Sequence, residues 1–204
     1  MRSVAFTLFV VALSHFTAIQ AATRKVTLLV NFEKPHSAAS VVALQKELAD
    51  LMQPAGVSID VMLRSEMPES PEFAELVVFQ MKGSCSMNVA PPFDELVDER
   101  GPLAKAYSSD GQILHFGEVE CDRVRECVQQ VTGRGDPEKH QRAFGRALGI
   151  VMAHEIYHMI SGKKAHTKLG LTKESLSAHE LLDGELSLPA AVRDMLSHSI
   201  AFRP

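Results

Sequence analysis

One stretch, residues 135–162, constrains the fold more than any other, because it reads as a single long helix with both ends marked. Its sequence is GDPEKHQRAFGRALGIVMAHEIYHMISG. Asp136 is a favourable N-cap residue, Pro137 suits the first helical position, and Gly162 suits a left-handed C-terminal cap. Apolar side chains recur between these ends at helical spacing, at Phe144, Leu148, Val151, Met152, Ile156 and Met159. The pattern predicts a helix that packs one broad face against a hydrophobic core.

The C-terminal half of this predicted helix contains the sequence HEIYH, which holds candidate metal ligands. His154 and His158 are four residues apart, so their rings project from one face of the helix, one turn apart. Two imidazoles at that spacing can bind one zinc ion, and Glu155 is placed to act on a water next to the metal. We therefore predict a zinc site here; the competing interpretation is a solvated, polar helix end.

A catalytic zinc site needs a third protein ligand. His166 is the next histidine along the chain, in KKAHTKLG, and it is the third ligand that we favour. The alternatives are His179 and a carboxylate from a later helix, for which the candidates are Glu174, Glu180 and Glu185. The sequence SAHE, which ends at Glu180, is also a capping-box pattern, and this gives Glu180 a purely structural explanation.

The segment HEIYHMISGKKAH resembles the zinc-binding motif of the metzincin group of zinc peptidases, HExxHxxGxxH. Gly162 and His166 stand one and two residues later than the glycine and the third histidine of that pattern. Together with GLTKESLSAHEL, the segment also resembles small exported bacterial proteins of metzincin-like type. The resemblance implies a zincin-like fold, zinc held by His154, His158 and His166, and Glu155 as the general base in peptide-bond hydrolysis.

The resemblance also implies that an extended substrate binds along the edge of a sheet, through main-chain hydrogen bonds. The edge that we predict for this role is the strand within residues 111–120. Tyr157 lies between the two helical histidines, where its hydroxyl could stabilise an oxyanion. We favour aromatic packing for Tyr157, because that is the commoner role of such a residue.

The remainder of the chain predicts an α/β fold. Apolar or alternating runs that read as strands occupy residues 25–32, 57–63, 75–81, 104–107 and 113–120. Residues 36–52 read as a helix between the first two strands, and Ser109-Asp110-Gly111 as the turn of a hairpin. We expect one domain, built from a twisted mixed sheet with the long helix in residues 22–162 and a small helical C-terminal subdomain in residues 163–204.

The first 21 residues, MRSVAFTLFVVALSHFTAIQA, are typical of a secretory signal peptide. Arg2 precedes an apolar run that ends in small residues, and we expect cleavage after Ala21. The mature protein is then secreted or periplasmic, with no membrane-spanning segment. The whole chain has a formal net charge of −4 and no basic patch in its sequence, which argues against nucleic acid as a partner. We expect a monomer that acts on a peptide or protein substrate.

Three cysteines, Cys85, Cys121 and Cys127, would meet an oxidising compartment after export, where a disulfide is expected. Cys121 and Cys127 lie six residues apart in a predicted helix, which separates their side chains too far for a bond. Cys85 then pairs with one of them. We favour Cys121, because both residues end apolar strands. No CxxC spacing supports a zinc site made of cysteines.

The sequence thus predicts a secreted zinc metallopeptidase. The alternative is an extracytoplasmic zinc-containing binding protein that keeps the zincin fold without turnover. Glu155 favours the peptidase, because a purely structural zinc site has no need of a carboxylate beside an open coordination position.

Overall fold

The computed structural model describes residues 23–88, 101–133 and 135–200, and these form a five-stranded sheet and five α-helices. The strands are β1 (Arg24–Phe32), β2 (Val57–Leu63), β3 (Leu76–Lys82), β4 (Ala104–Ser109) and β5 (Gln112–Glu120). The helices are α1 (Ala38–Met52), α2 (Cys121–Thr132), α3 (Pro137–Ser161), α4 (Ala178–Leu182) and α5 (Ala190–Ile200). The predicted signal peptide lies outside the described residues. No helix in the described part of the chain combines the length and the apolar character needed to span a bilayer.

The sheet has the strand order β2-β1-β3-β5-β4. Neighbouring strands are parallel as far as β5, and β4 then pairs with β5 in an antiparallel hairpin. The hairpin turn contains Asp110 and Gly111, whose φ angles are 51° and 82°. The prediction that residues 111–120 form the exposed edge is wrong, because β5 lies between β3 and β4, and β4 is the edge. A hairpin signal identifies two paired strands without showing which of them also pairs with a third.

One face of the sheet is covered by helices and the other is more open. In β3, Val77, Phe79 and Met81 are buried, whereas the residues that alternate with them are only partly buried. This period of two is expected where one face of a sheet packs on a core and the other faces solvent. The core therefore lies between the sheet and the helices packed on it, chiefly α1 and α3, with Val124 and Val128 of α2 contributing at one end.

α1 and α3 pack together at unusually short range, because two glycines of α3 face α1. A Cβ atom added at Gly145 would lie 2.2 Å from the carbonyl oxygen of Ser40, and one added at Gly149 would lie 3.0 Å from that of Leu44. The hydroxyl of Ser40 donates to the carbonyl oxygen of Gln141 at 3.0 Å across the same interface. The contact is thus made largely by backbone atoms, which fixes where α3 lies.

A third glycine brings α3 close to the sheet near its β4 edge. A Cβ atom at Gly117 in β5 would lie 2.8 Å from the Met159 side chain and 2.7 Å from the Lys105 carbonyl oxygen. Because Gly117 lacks that atom, Met159 packs directly against β5. The C-terminal half of α3 therefore lies beneath the two strands that end the sheet.

The structure contains the predicted disulfide between Cys85 and Cys121, with a Cα–Cα distance of 5.1 Å. Cys127 is a partly buried free thiol. Beside the disulfide, the buried Arg125 donates to the Ser84 carbonyl oxygen at 2.9 Å and forms an ion pair with Asp122 at 2.6 Å. The disulfide and the hydrogen bond from Arg125 to Ser84 together join the chain after β3 to the start of α2.

Candidate metal centre

α3 begins and ends where the sequence predicts. The Asp136 side chain accepts a hydrogen bond from the Glu138 N–H at 2.9 Å, and Gly162 ends the helix with a φ of 65°. His154 and His158 lie in its last two turns, with ring centroids 4.7 Å apart. The long, capped helix thus sets these two rings side by side.

His166 joins the two helical histidines, although it lies on an irregular segment after the helix. Its Nε2 atom is 3.2 Å from Nε2 of His158, which in turn is 3.0 Å from Nε2 of His154. Ligand atoms of all three lie within 4.8 Å of one another. Imidazole nitrogens bound about 2.05 Å from a tetrahedral zinc ion would be about 3.3 Å apart. The two shorter spacings, from His158 to His154 and from His158 to His166, therefore match those expected around a single zinc ion.

Hydrogen bonds on the far side of two rings turn the Nε2 atoms toward this common point. Nδ1 of His154 lies 2.8 Å from the Leu171 carbonyl oxygen, and Nδ1 of His158 lies 2.6 Å from that of Lys163. A carbonyl oxygen only accepts, so each Nδ1 carries the proton and each Nε2 presents a lone pair. Such second contacts commonly orient histidines that bind metal ions. Converging lone pairs repel one another unless a cation lies between them, so the donor set fits a metal.

The protonation of the two helical histidines suits the same role. Burial lowers the pKa of His154 and that of His158 below the ordinary value for histidine. A histidine binds a metal ion in its neutral form. Burial in the helix therefore favours the state that a ligand needs.

The segment that carries His166, residues 163–167, is held by a backbone hydrogen bond at every second residue. The Lys163 carbonyl accepts from His158, and the Ala165 carbonyl accepts from the buried Tyr157 hydroxyl at 3.3 Å. The Thr167 N–H donates to the Thr172 carbonyl oxygen at 2.8 Å. The two residues by which this chain exceeds the metzincin spacing are thus accommodated in an anchored segment. Tyr157 packs and anchors, in line with the role favoured for it.

Glu155 faces the edge strand. Its Oε2 atom accepts a hydrogen bond from the Ala106 N–H of β4 at 2.7 Å. Burial raises the pKa of Glu155 above the ordinary value, and the hydrogen bond from Ala106 offsets part of that rise. A carboxylate with a raised pKa is better suited to taking up and releasing a proton near neutral pH.

The other candidate ligands do not join the histidine cluster, which is the only group of three or more potential metal ligands among the described residues. Glu180 instead completes the predicted capping box of α4 with Ser177 and lies 2.5 Å from the Lys173 ammonium. Those contacts lower the pKa of Glu180 to about 2. His179 is exposed and lies nearest the Asp183 carboxylate, at 3.9 Å.

Two cavities lie beside Glu155 and share one border. Both are lined by Ala104, His154 and Glu155. The first, of about 220 Å³, extends toward residues 101–103, Val151 and residues 173–176. The second, of about 280 Å³, extends toward Ser108 and Ile113 and includes the other two histidines and Lys164. Together they form a cleft that follows β4 past the histidine cluster, and the Glu174 side of the first cavity adds no metal ligand.

Several residues that shape the site act through their backbone, which sequence patterns do not reveal. Leu171 and Lys163 contribute carbonyl oxygens to the histidines, and Ala106 contributes an N–H to Glu155. A main-chain group carries no residue-specific signal, so these contacts require the fold. The Tyr157 hydroxyl could have been assigned a partner in the following loop, because a buried tyrosine usually hydrogen-bonds.

The sequence matches no known protein-family model and no curated protein sequence. Among solved structures, the chain is similar to archaemetzincin from Methanopyrus kandleri, with a TM-score of 0.50 and 11% sequence identity. The similarity covers 91% of this chain and 99% of the archaemetzincin chain. At that identity the comparison shows the fold, which is metzincin-like, with a five-stranded mixed sheet and packed helices.

Proposed function

We propose that this protein is an exported zinc metallopeptidase that hydrolyses bonds in a peptide or protein substrate. The observation that carries the proposal is the convergence of three histidine Nε2 atoms beside a partly buried carboxylate at a sheet edge. The metzincin-like fold supports it. The sequence resemblance to metzincins supports it independently, because it rests on the residues of the motif and not on the fold.

Each residue of the site has a role in this reaction. His154, His158 and His166 would hold the zinc ion, which lowers the pKa of a water and polarises the scissile carbonyl group. Glu155 takes a proton from the attacking water and delivers it to the leaving amine nitrogen. The Ala106 N–H holds Oε2 of Glu155 in place, which leaves Oε1 as the oxygen that exchanges the proton.

Substrate would bind as an additional strand along β4. The Leu103 carbonyl accepts from the Glu120 N–H, so this end of the strand bonds to β5 at alternate residues. The backbone groups of Ala104 and Ala106 consequently face away from β5, and the Ala106 N–H reaches Glu155. An extended peptide that runs antiparallel to β4 can pair with the outward groups that remain and cross the histidine cluster.

Export is the part of the proposal that rests on the first 21 residues alone. Mass spectrometry of protein purified from a secreting host should find a mature N-terminus within a few residues of Ala22. A protein that keeps Met1 and stays in the cytosol would remove export from the proposal and leave the zinc chemistry in place.

The catalytic role is tested by pairing Glu155→Gln with His158→Ala. Glu155→Gln keeps the size of the side chain but removes its basicity, so zinc content should be normal and hydrolysis should be nearly abolished. His158→Ala should lose both, because two remaining histidines hold the ion poorly. The matched control is Glu185→Gln, which changes an exposed carboxylate that is not part of the histidine cluster and should leave both properties unchanged.

The assay is digestion of a broad peptide library, with zinc measured on the same samples. A wild-type protein that binds one zinc ion and cleaves nothing would favour the second candidate, a zinc-containing binding protein with a zincin fold. A Glu155→Gln variant that cleaves as fast as the wild type would contradict the role of Glu155.

A further inference from the structure

The anchored segment 163–167 contributes two residues to the lining of the cleft. Its odd-numbered residues are bound through their backbone to α3 or to the turn at residues 170–172. The two residues between them, Lys164 and His166, line the same cavity. The contacts that place the third histidine therefore also place Lys164 beside it.

Of the two lysines that line this cavity, Lys164 is the one that forms no ion pair with any described residue. Lys105 also lines the cavity, but its ammonium lies 2.5 Å from a Glu118 carboxylate oxygen. Among the residues that the structure describes, Lys164 forms no ion pair. The only carboxylate in the lining is Glu155, which is hydrogen-bonded to β4. A positive charge is thus available here in a chain whose net charge is −4.

The cavity lies on a defined side of the scissile bond. β4 runs from Ala104, which borders both cavities, toward Ser108, which lines only the cavity with Lys164. A substrate antiparallel to β4 places its N-terminal residues at the Ser108 end. Residues before the scissile bond would therefore pass Lys164, and the residue after it would face the cavity near Leu103.

We propose that Lys164 selects substrates with an acidic side chain just before the scissile bond. The inference rests on the proposed peptidase function and adds a substrate class to it. Because Lys164 is exposed, its ion pair with the substrate should contribute as much free energy as the stronger surface ion pairs do. That corresponds to a preference of about fivefold for an acidic over an uncharged side chain. Salt screens such pairs, so the preference should decrease as ionic strength rises.

The test uses three alanine-based peptides that differ only at the two positions before a leucine, where they carry glutamate, glutamine or lysine. Wild-type enzyme should give the highest kcat/KM with the glutamate peptide. Lys164→Glu should reverse the order and favour lysine, and Lys164→Gln should remove the preference. The matched control is Lys168→Glu, which makes the same charge change at an exposed residue outside the cavity lining and should keep the wild-type order.

A binding measurement separates this inference from the peptidase function. The zinc-loaded Glu155→Gln variant is titrated against fluorescein-labelled versions of the three peptides, with and without Lys164→Glu. An acidic preference in binding that Lys164→Glu reverses supports the selection, whether or not the wild type cleaves the peptides. Equal binding of the three peptides, or an unchanged preference in the Lys164→Glu variant, overturns it. Absence of cleavage with normal selective binding would contradict only the peptidase function.

Discussion

Replacing Cys85 and Cys121 together by alanine should destabilise the protein by about 4 kcal/mol. The two cysteines are 36 residues apart in sequence. In the chain-entropy model, closing a loop of that length removes entropy from the unfolded chain that corresponds to about 3.8 kcal/mol at 25 °C. Both sulfur atoms are buried, so their lost packing adds to the effect. In a domain of this size, such a change lowers Tm by about 8 to 15 °C.

The assay is urea unfolding of the wild type and the double variant in the presence of EDTA, since a bound metal would stabilise both. Cys127→Ala is the control. It removes a partly buried thiol and opens no loop, so it should cost far less than the double variant. Non-reducing peptide mapping establishes the pairing in the same preparations.

Two results would refute the reasoning. A loss below about 1 kcal/mol would mean that the unfolded chain is already restricted, or that the bond strains the native state. A peptide that links Cys85 to Cys127 would mean that the bond at the start of α2 is not the one that forms.

His166→Ala should lose zinc to a chelator that the wild type resists. Glu180→Ala should retain zinc, and its free energy of unfolding should fall by about 1 kcal/mol because a helix cap is removed. The opposite result would make Glu180 the third ligand. Tyr157→Phe should weaken zinc binding by about two- to fivefold, the equivalent of one modest hydrogen bond to Ala165, and unchanged affinity would show that the segment is held without it. The pKa of Glu180 is lowered to about 2 in the folded protein, so its stabilising contribution is present above pH 4.5 and is lost as pH falls toward 2. The stability difference between wild type and Glu180→Gln should therefore shrink over that range in acid unfolding curves, and a difference independent of pH would contradict the assignment.

The elements that the sequence predicted well are those with local signals. α3 begins after Asp136 and ends at Gly162 as expected, because the residue types that cap a helix can be recognised in the sequence at each end. The capping box at Ser177 and Glu180 is present for the same reason. Strand positions were also close, since β1, for example, extends one residue beyond the predicted start at Lys25.

The features that the sequence could not decide depend on contacts between distant segments. The sequence predicts the wrong member of the hairpin as the edge strand, because the pairing of β5 with β3 joins Phe79 to Gly117 across 38 residues of chain. The hydrogen bond from Ala106 to Glu155 is equally non-local. The sequence favours His166 as the third ligand because it is the next histidine along the chain, but its distance from the other two depends on the anchoring of residues 163–167.

Because α3 is held against α1 at Gly145, a small tilt of α3 at that contact becomes a larger displacement at His154. Gly145 lies nine residues before His154, a distance of about 14 Å along a helix. A tilt of about five degrees around that point would move His154 by about 1.2 Å at this rise per residue. A displacement of that size away from β4 would break the 2.7 Å hydrogen bond between Ala106 and Glu155 and would move His154 and His158 together relative to the edge strand. A methyl group added at Gly145, far from any substrate, would therefore mimic damage to the centre itself.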